Sequence, residues 1–244
     1  MKPTVCGVML VNGRAQMVKR AIQCFRAQTY EPKRLIILDT GTTPLDLERY
    51  PGIWEESAYM PEWAGETIGC LRNKANSIAW ENGICDTFAH FDSDDWSHPR
   101  RLEEQVALLE ASGKQCVGFR GCLFWDTRQR DDMPGGYRYN EAWLYRQDEP
   151  RYAIGASFMY CRELWEKHPF PDAPHEDRRW WLTPEVSNNC VGVSSLMPME
   201  DPRMVCQIHG ANTEAYKRSD MLAGGGGVWK RAVEFDSYCA SKMQ

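Results

Sequence analysis

Short apolar runs alternate with segments of helical periodicity through the first half of this chain, and that alternation constrains the fold more than any other feature. The apolar runs, each short enough to be a strand buried on both faces, lie at 4–11, 34–38 and 87–91. The helical segments lie at 14–27, 65–82 and 99–112. Because a helix follows each strand, neighbouring strands are joined by crossovers and run parallel. The sequence therefore predicts an α/β fold with a Rossmann-like, mostly parallel central sheet flanked by helices.

The second half of the chain is more mixed. Its strand-like runs lie at 116–125, 155–161 and 203–208, and a short helix is predicted at 176–182. The turn residues of DDMPGG at 131–136 predict a hairpin or a loop, and the four glycines at 224–227 predict a flexible loop or a lid hinge. No linker interrupts the 244 residues, and we expect one domain over 1–244. Its expected parts are two halves and a C-terminal extension, at 1–115, 116–213 and 214–244.

The charge of the chain is mildly acidic, with a net charge of −5 and a pI of about 5.6. A composition of 43% hydrophobic and 26% charged residues argues against disorder. A dedicated nucleic-acid binder would instead have a basic surface. The arginine-rich segment 120–151 holds six arginines but also six acidic residues. This balance disfavours nucleic acid as a partner without excluding it.

The ten cysteines are scattered along the chain, with no C-x-x-C pair and no Cys/His cluster at zinc spacing. We therefore expect buried thiols in a reducing compartment rather than a disulfide framework. The N-terminal segment resembles neither a signal peptide nor an anchor, and no apolar stretch is long enough to cross a bilayer. These features predict a soluble, cytoplasmic protein without a membrane segment.

Three carboxylates fall within four residues in HFDSDDWSHP at 90–99, directly after a predicted strand. They are Asp92, Asp94 and Asp95, and residues 92–95 are called the acidic turn below. Asp39 also follows a strand, and in a parallel sheet ligands bind at the carboxyl ends of strands. Oxygen ligands of this kind suit Mg²⁺ or Mn²⁺. By itself the turn fits equally well a solvated cap of the following helix, and the residues alone leave both interpretations open.

Seven short motifs give the chain a likeness to a known family. In order they are VNGR at 11–14, LDTGT at 38–42, the Arg-Asn pair in GCLRNKANSIA, FDSDDWSHPRRL, GASFMYCRELWEKHPF, HEDRRWW at 175–181 and IHGANT at 208–213. In that order, from about residue 4 to about residue 213, the chain resembles the family 2 glycosyltransferases, which have the GT-A fold. It departs from them in lacking a proline in the first strand and an Asp-Asp-Gly-Ser turn after the second. The last thirty residues match none of the motifs of this family.

The resemblance implies a role for each matched residue. Asp39 reads the base of the donor, with uracil favoured, and Arg72 contacts the base or the phosphates. Asp92 holds the ribose or a metal-bound water, while Asp94 and His209 bind Mn²⁺ or Mg²⁺ as cofactor. The residues do not decide which of the three aspartates bind the metal. The implied nucleotide-sugar-binding residues are Asn12, Asp39, Arg72, Asp92, Ser93 and Asp95.

The resemblance also implies a catalytic pair in HEDRRWW. Family members invert the anomeric centre, and Asp177 is the implied base that deprotonates the acceptor, with Glu176 as the weaker alternative. The same two acids also fit the first turn of a helix, where the helix dipole favours them. Trp180 and Trp181 follow the pair and are candidates to stack on a sugar, although tryptophan more often packs in a core.

The expected function is that of a metal-dependent inverting glycosyltransferase (hexosyltransferase type). It transfers a sugar from a nucleoside-diphosphate sugar, with a UDP-sugar favoured, to a hydroxyl acceptor that the sequence does not identify. The half at 1–115 would bind the donor, and the half at 116–213 would supply the acceptor side and the base. Alternatives are a metal-dependent nucleotidyltransferase or phosphoesterase, and a non-catalytic sugar-nucleotide-binding module. A modified nucleic-acid base is an alternative acceptor.

Overall fold

The computed structural model describes residues 2–50, 57–81, 83, 85–130, 135–146, 152–193, 201–210, 221–222 and 228–244. Within these ranges the strands are β1 (Val5–Val11), β2 (Lys33–Asp39), β3 (Ala58–Tyr59), β4 (Thr87–His90), β5 (Trp96–Ser97), β6 (Cys116–Phe119), β7 (Gly121–Asp126), β8 (Glu141–Arg146), β9 (Met159–Cys161), β10 (Cys190–Val193), β11 (Met204–Ile208) and β12 (Val228–Arg231). The α-helices are α1 (Ala15–Arg26), α2 (Ile68–Glu81), α3 (Arg101–Ser112), α4 (Arg162–Lys167), α5 (Glu176–Leu182), α6 (Pro184–Ser187) and α7 (Asp236–Lys242).

The first sheet has seven strands in the order β10-β6-β9-β4-β1-β2-β3. Its strands run parallel, except that β9 is antiparallel to both of its neighbours, β4 and β6. The order places β1 in the middle, and the chain crosses over through α1 and α2 to build strands on either side of it. This architecture confirms the predicted mostly parallel sheet flanked by helices.

The second sheet has five strands in the order β12-β8-β7-β11-β5 and is of mixed direction. β7 and β11 run parallel, whereas β8 is antiparallel to β7 and to β12. β12 and α7 belong to the C-terminal extension, so the last residues of the chain complete this sheet and pack against it. β5 follows the acidic turn directly and attaches it to the second sheet through β11.

The helices cover the first sheet because each has one apolar face. α1 packs Val18, Ile22 and Phe25 against the same face of the sheet as α3. α2 packs Leu71 and Ala75 against the opposite face, together with α5. Each fully buried side chain of this size stabilises the fold by about 1.5–3 kcal/mol. Among the described helices, none combines the length and the apolar character needed to cross a bilayer.

Three predicted boundaries are corrected. The strand predicted at 116–125 is two strands, β6 and β7, which leave Arg120 between them and belong to different sheets. Both strands are fully buried, so the apolar run carries no sign of the break. The strand predicted at 155–161 is confined to β9, preceded by a short 3₁₀ turn. The helix predicted from residue 99 begins at Arg101, and its predicted end at Gly113 holds, with φ of 61°.

The predicted turn at 131–136 is partly described. Gly135 and Gly136 both have positive φ, and Gln129 bridges Arg138 across the turn, as in a hairpin. Residues 131–134 and the glycine run at 224–227 lie outside the described residues.

The prediction that the cysteines are free thiols holds for eight of them and fails for two. Cys6 on β1 and Cys85, which precedes β4, form a disulfide with their Cα atoms 5.8 Å apart. The two strands are neighbours in parallel register, and this brings the two cysteines together. The other eight cysteines are free, and most of them are buried.

Candidate active site

The acidic turn lies where the two sheets meet. It connects the end of β4 at His90 with the start of β5 at Trp96, so each of its ends is anchored in a different sheet. β1 and β4 are parallel, with Val8 opposite His90, and the turn that follows β1 therefore reaches the same edge. This carboxyl-end edge is where the sequence predicts a ligand site.

The pairing of β5 with β11 brings His209 to this edge. The two strands are antiparallel, with Val205 opposite Trp96, so the residues that follow along β11 lie opposite the acidic turn. His209 Nε2 lies 2.9 Å from Asp94 Oδ2, although the two residues are 115 positions apart in sequence. The structure thus brings together the two residues that the resemblance implies as metal ligands.

Arg14 contacts both of these side chains. Arg14 Nη1 lies 3.1 Å from Asp94 Oδ2 and 3.1 Å from His209 Nε2. The side chains of Asp94 and His209 are nearly buried, whereas that of Arg14 is 28% exposed. Burial by itself raises the pKa of Asp94. The hydrogen bond from His209 and the charge of Arg14 outweigh burial, so this pKa lies below its ordinary value.

Asp94 and His209 fit two neighbouring positions in the coordination shell of a divalent cation. A carboxylate oxygen and a neutral imidazole nitrogen both ligate Mn²⁺, and a separation of 2.9 Å suits adjacent ligands. Among the described residues, no group of three or more His, Cys, Asp or Glu side chains is arranged to hold a metal ion. Mg²⁺ commonly completes its coordination shell with water and phosphate oxygens.

Asp95 and Ser93 are buried, with 7% and 3% of their surface exposed. Asp95 Oδ1 accepts a 3.0 Å hydrogen bond from the backbone N–H of Gln207, which attaches the acidic turn to β11. Burial, with the charges of Asp94 and Asp92 added to it, raises the pKa of Asp95 well above its ordinary value. The structure gives Asp95 a role in holding the turn, and ligand contact through Asp95 or Ser93 stays a prediction.

Arg72 of α2 lies inside the protein, with only 7% of its surface exposed. Its Nη2 is 3.5 Å from Asp92 Oδ1 and its Nε is 3.6 Å from Glu176 Oε1. The guanidinium therefore bridges the acidic turn and the first turn of α5. Burial raises the pKa of Glu176, and the charge of Arg72 only partly offsets that effect. Contact of Arg72 with a base or a phosphate stays a prediction.

His90 extends this bridge to Gly155. It is fully buried, and burial followed by the charge of Arg72 lowers its pKa well below the ordinary value. Arg72 Nη1 contacts both ring nitrogens of His90, and His90 Nδ1 also lies 2.7 Å from the carbonyl oxygen of Gly155. A buried polar chain thus runs from the acidic turn to the residue beside Asp177.

Asp177 lies in the first turn of α5, against Gly155. Its Oδ2 accepts a 3.1 Å hydrogen bond from the hydroxyl of Tyr152, and its Oδ1 accepts a 2.7 Å bond from the N–H of Arg178. Asp177 is half-buried, whereas Glu176 is buried and faces Arg72. Of the two predicted catalytic acids, Asp177 is the more accessible to a substrate.

Asp39 ends β2 and stabilises the turn that follows it. Its two carboxylate oxygens accept backbone hydrogen bonds from Gly41 and Leu45, at 2.9 and 2.8 Å. Asp39 is opposite Val11 in the register of the sheet, so the exposed Asn12 also lies at this edge. Both residues are at the predicted ligand edge, and recognition of a base by Asp39 stays a prediction.

Trp180 and Trp181 do not line the site. They are 1% and 0% exposed and pack with Phe158 in the core beneath α5. The suggestion that they stack on a sugar is therefore wrong, because their rings form the apolar face of a short amphipathic helix.

Four residues of the site were not singled out by the sequence: Arg14, His90, Tyr152 and Gly155. Arg14 stands in a turn motif that signals only a strand end, and His90 lies inside the strand predicted at 87–91. Gly155 begins the strand predicted at 155–161, and Tyr152 precedes it. A weak signal was present at His90, since a histidine inside an apolar run needs a polar partner when it is buried.

No family model and no curated protein matches the chain in sequence. Solved structures do match it in fold. The structure of S. aureus TarS 1–349 in complex with UDP-GlcNAc has a TM-score of 0.59 and 13% identity, over 87% of this chain and 61% of that one. The mannosyltransferase PcManGT from Pyrobaculum calidifontis, in complex with GDP-Man and Mn²⁺, has a TM-score of 0.57 and 13% identity, over 100% of this chain and 70% of that one.

The likeness to these proteins confirms the GT-A-like α/β fold. At 13% identity it shows the fold alone, because one fold hosts many functions. The chain also spans only 60% of the TarS 1–349 structure and 37% of a longer TarS structure.

Proposed function

We propose that the chain is a metal-dependent, inverting glycosyltransferase of the family 2 type. It transfers a sugar from a nucleoside-diphosphate sugar, with a UDP-sugar favoured, to a hydroxyl acceptor. The observation that carries the proposal is that Arg72 bridges two parts of a GT-A-like fold: the acidic turn, where Asp94 contacts His209, and the first turn of α5, which carries the half-buried Asp177. The complexes of the two structural neighbours with UDP-GlcNAc and with GDP-Man and Mn²⁺ support this donor class.

Asp177 acts as the base in this proposal. It accepts the proton of the acceptor hydroxyl while that oxygen forms a bond to C1 of the sugar. The bond from C1 to the diphosphate oxygen breaks, the electron pair leaves with the diphosphate, and the anomeric centre inverts. The hydroxyl of Tyr152 holds the carboxylate in position. Arg72 balances the charges of Asp92 and Glu176.

Asp94 and His209 would hold the divalent cation, Mn²⁺ or Mg²⁺. It would supply positive charge to offset the negative charge of the leaving diphosphate. Asp39 and Asn12 lie on the base side of the donor, where a carboxylate accepting from an imide N–H fits uracil, and thymine equally. The acceptor side belongs to the half at 116–213, and the balanced charge of its segment 120–151 makes a modified nucleic-acid base the less favoured acceptor.

A thermal-shift panel tests the donor and the cation together. UDP, GDP, dTDP, CMP and ATP are each added with Mn²⁺, Mg²⁺ or EDTA. A ligand at about 100 times its Kd stabilises the native state by about 2.7 kcal/mol. For a chain of this size, that raises Tm by about 5–10 °C. We expect this rise with UDP and Mn²⁺ and its loss in EDTA, and we expect Asp94→Ala to lose it as well.

The same panel can contradict the proposal. Stabilisation by a diphosphate that is indifferent to EDTA would remove the metal from the proposal. No response to any nucleoside diphosphate would favour a phosphate-handling enzyme of another class or a degenerate binding module.

Gly155→Ala tests whether catalysis depends on the position of the Asp177 carboxylate. A Cβ at residue 155 would lie 1.9 Å from Asp177 Oδ2 and 2.7 Å from Asp177 Cβ, so the carboxylate has to turn away and the start of α5 has to shift. Since catalysis depends on alignment within about 1 Å, we expect kcat to fall by about 10–100-fold. UDP affinity, measured by calorimetry with Mn²⁺, is expected to stay unchanged.

Gly65→Ala is the matched control for this variant, because its added Cβ meets no other atom within 4 Å. It is expected to leave kcat unchanged. Equal kcat values for the Gly155→Ala variant and the wild type would count against Asp177 as the base.

A further inference from the structure

Arg14 has an unfavourable backbone conformation and stands at an unfavourable position, the start of a helix. Its φ of 61° and ψ of 43° lie in the left-handed region, which residues with a side chain rarely adopt. It is also the N-cap residue of α1, where a cation meets the positive end of the helix dipole, and its own side chain does not cap the free N–H groups. Contacts from outside the segment therefore have to hold Arg14 in place.

Those contacts come from Asp94 and His209. Arg14 Nη1 lies 3.1 Å from Asp94 Oδ2 and 3.1 Å from His209 Nε2. These two atoms are the ones through which the pair would ligate a divalent cation. A guanidinium and a divalent cation are both positive, so they repel each other when both lie beside these two atoms. The two cations therefore compete for Asp94 and His209.

We propose that Arg14 is a resident counter-ion of the metal site, which a divalent cation displaces and which then binds the diphosphate of the donor. The proposal rests on the proposed function, because it takes Asp94 and His209 as the metal ligands. It adds to that function a competition between Arg14 and the divalent cation for Asp94 and His209, which the sequence motifs do not indicate.

The displaced guanidinium is suited to a diphosphate. The side chain is 28% exposed and long, so its head can move from Asp94 to a phosphate nearby. Arg14 follows β1 at the carboxyl edge of the sheet, where the donor is expected to bind. Its planar fork of N–H donors matches phosphate oxygens in a bidentate manner.

Arg14→Gln separates the two parts of the proposal in one set of titrations. Glutamine has a similar reach and no charge. Free Mn²⁺ is measured by electron paramagnetic resonance during titration of the nucleotide-free protein, and UDP is titrated by calorimetry at saturating Mn²⁺. We expect Mn²⁺ to bind about tenfold more tightly to Arg14→Gln than to the wild type, and UDP to bind about tenfold more weakly.

Two variants control for charge and shape. Lys19→Gln removes one positive charge from the exposed side of α1 and is expected to leave both affinities at wild-type values. Arg14→Lys keeps the charge, so its Mn²⁺ affinity is expected to stay close to that of the wild type. A gain in Mn²⁺ affinity in Arg14→Lys as large as that in Arg14→Gln would overturn the proposal. Thermal unfolding of each variant verifies that it is folded.

The outcomes distinguish this inference from the function on which it rests. If Asp94→Asn abolishes Mn²⁺ binding but Arg14→Gln binds Mn²⁺ no more tightly than the wild type, the inference fails and the metal site stands. If Arg14→Gln gains Mn²⁺ affinity without losing UDP affinity, the transfer of Arg14 to the diphosphate is overturned. If neither the wild type nor Arg14→Gln binds Mn²⁺, the inference and the metal site of the proposed function both fail.

Discussion

Asp177→Asn is expected to bind UDP with Mn²⁺ as the wild type does and to release UDP from the donor about 10²–10⁴-fold more slowly. Asparagine keeps the shape of the side chain, and its amide oxygen can still accept the hydrogen bond from Tyr152. It cannot take up a proton from the acceptor at neutral pH. The measurement is UDP release from the donor sugar, with water or a saturating hydroxyl compound as acceptor, beside calorimetry of UDP binding.

Two further variants make this result specific. Asp172→Asn carries the same change at an exposed acid that accepts a hydrogen bond from Thr67, and its rate is expected to stay near that of the wild type. Glu176→Gln removes the alternative base. A larger loss of rate in Glu176→Gln than in Asp177→Asn would transfer the role of base to Glu176. Near-normal turnover in Asp177→Asn would remove Asp177 from the mechanism.

Local signals predicted the first half of the fold well. β1, β2, α1 and α2 lie within a few residues of their predicted bounds, because apolar periodicity and turn residues act over short stretches. The second half was harder because its strands depend on distant partners. β8 pairs with β12, which comes from the C-terminal extension, and the sequence pattern of residues 141–146 does not indicate that partner strand. The break at Arg120 is hidden because the residues on both sides of it are buried.

The site was predictable only in part, for the same physical reason. Topology alone brings Asp39 and the acidic turn to one edge of the sheet. The contact of Asp94 with His209 depends on β5, a strand of two residues that has no sequence pattern of its own. The left-handed conformation of Arg14 is equally unpredictable from the sequence, because a residue other than glycine gives no signal of positive φ. The motif order implied the pair of ligands, but not the arginine between them.

Arg101→Met is expected to lower the free energy of unfolding by about 3–5 kcal/mol. Arg101 is 1% exposed, and burial lowers its pKa to about 10, so it stays charged at neutral pH. Its guanidinium donates to the carbonyls of His90 and Ala156, at 2.8 and 3.1 Å, and to the side chains of Ser97 and Gln105. Methionine fills similar space but leaves buried acceptors without a donor. Urea unfolding at an unchanged m-value measures the loss.

Arg100→Met is the control that separates burial from charge. Arg100 is next in the chain, has the same chemistry and makes ion pairs with Glu103 and Glu104, but its side chain is 58% exposed. Exposed pairs of this kind contribute about 0–1 kcal/mol, so its stability is expected to stay within that range of the wild type. Equal effects at the two positions would mean that the carbonyl of His90, which ends β4, finds water when Arg101 is removed. The strand end that carries the acidic turn would then be held by the sheet alone, and Arg101 would not be needed to form the site.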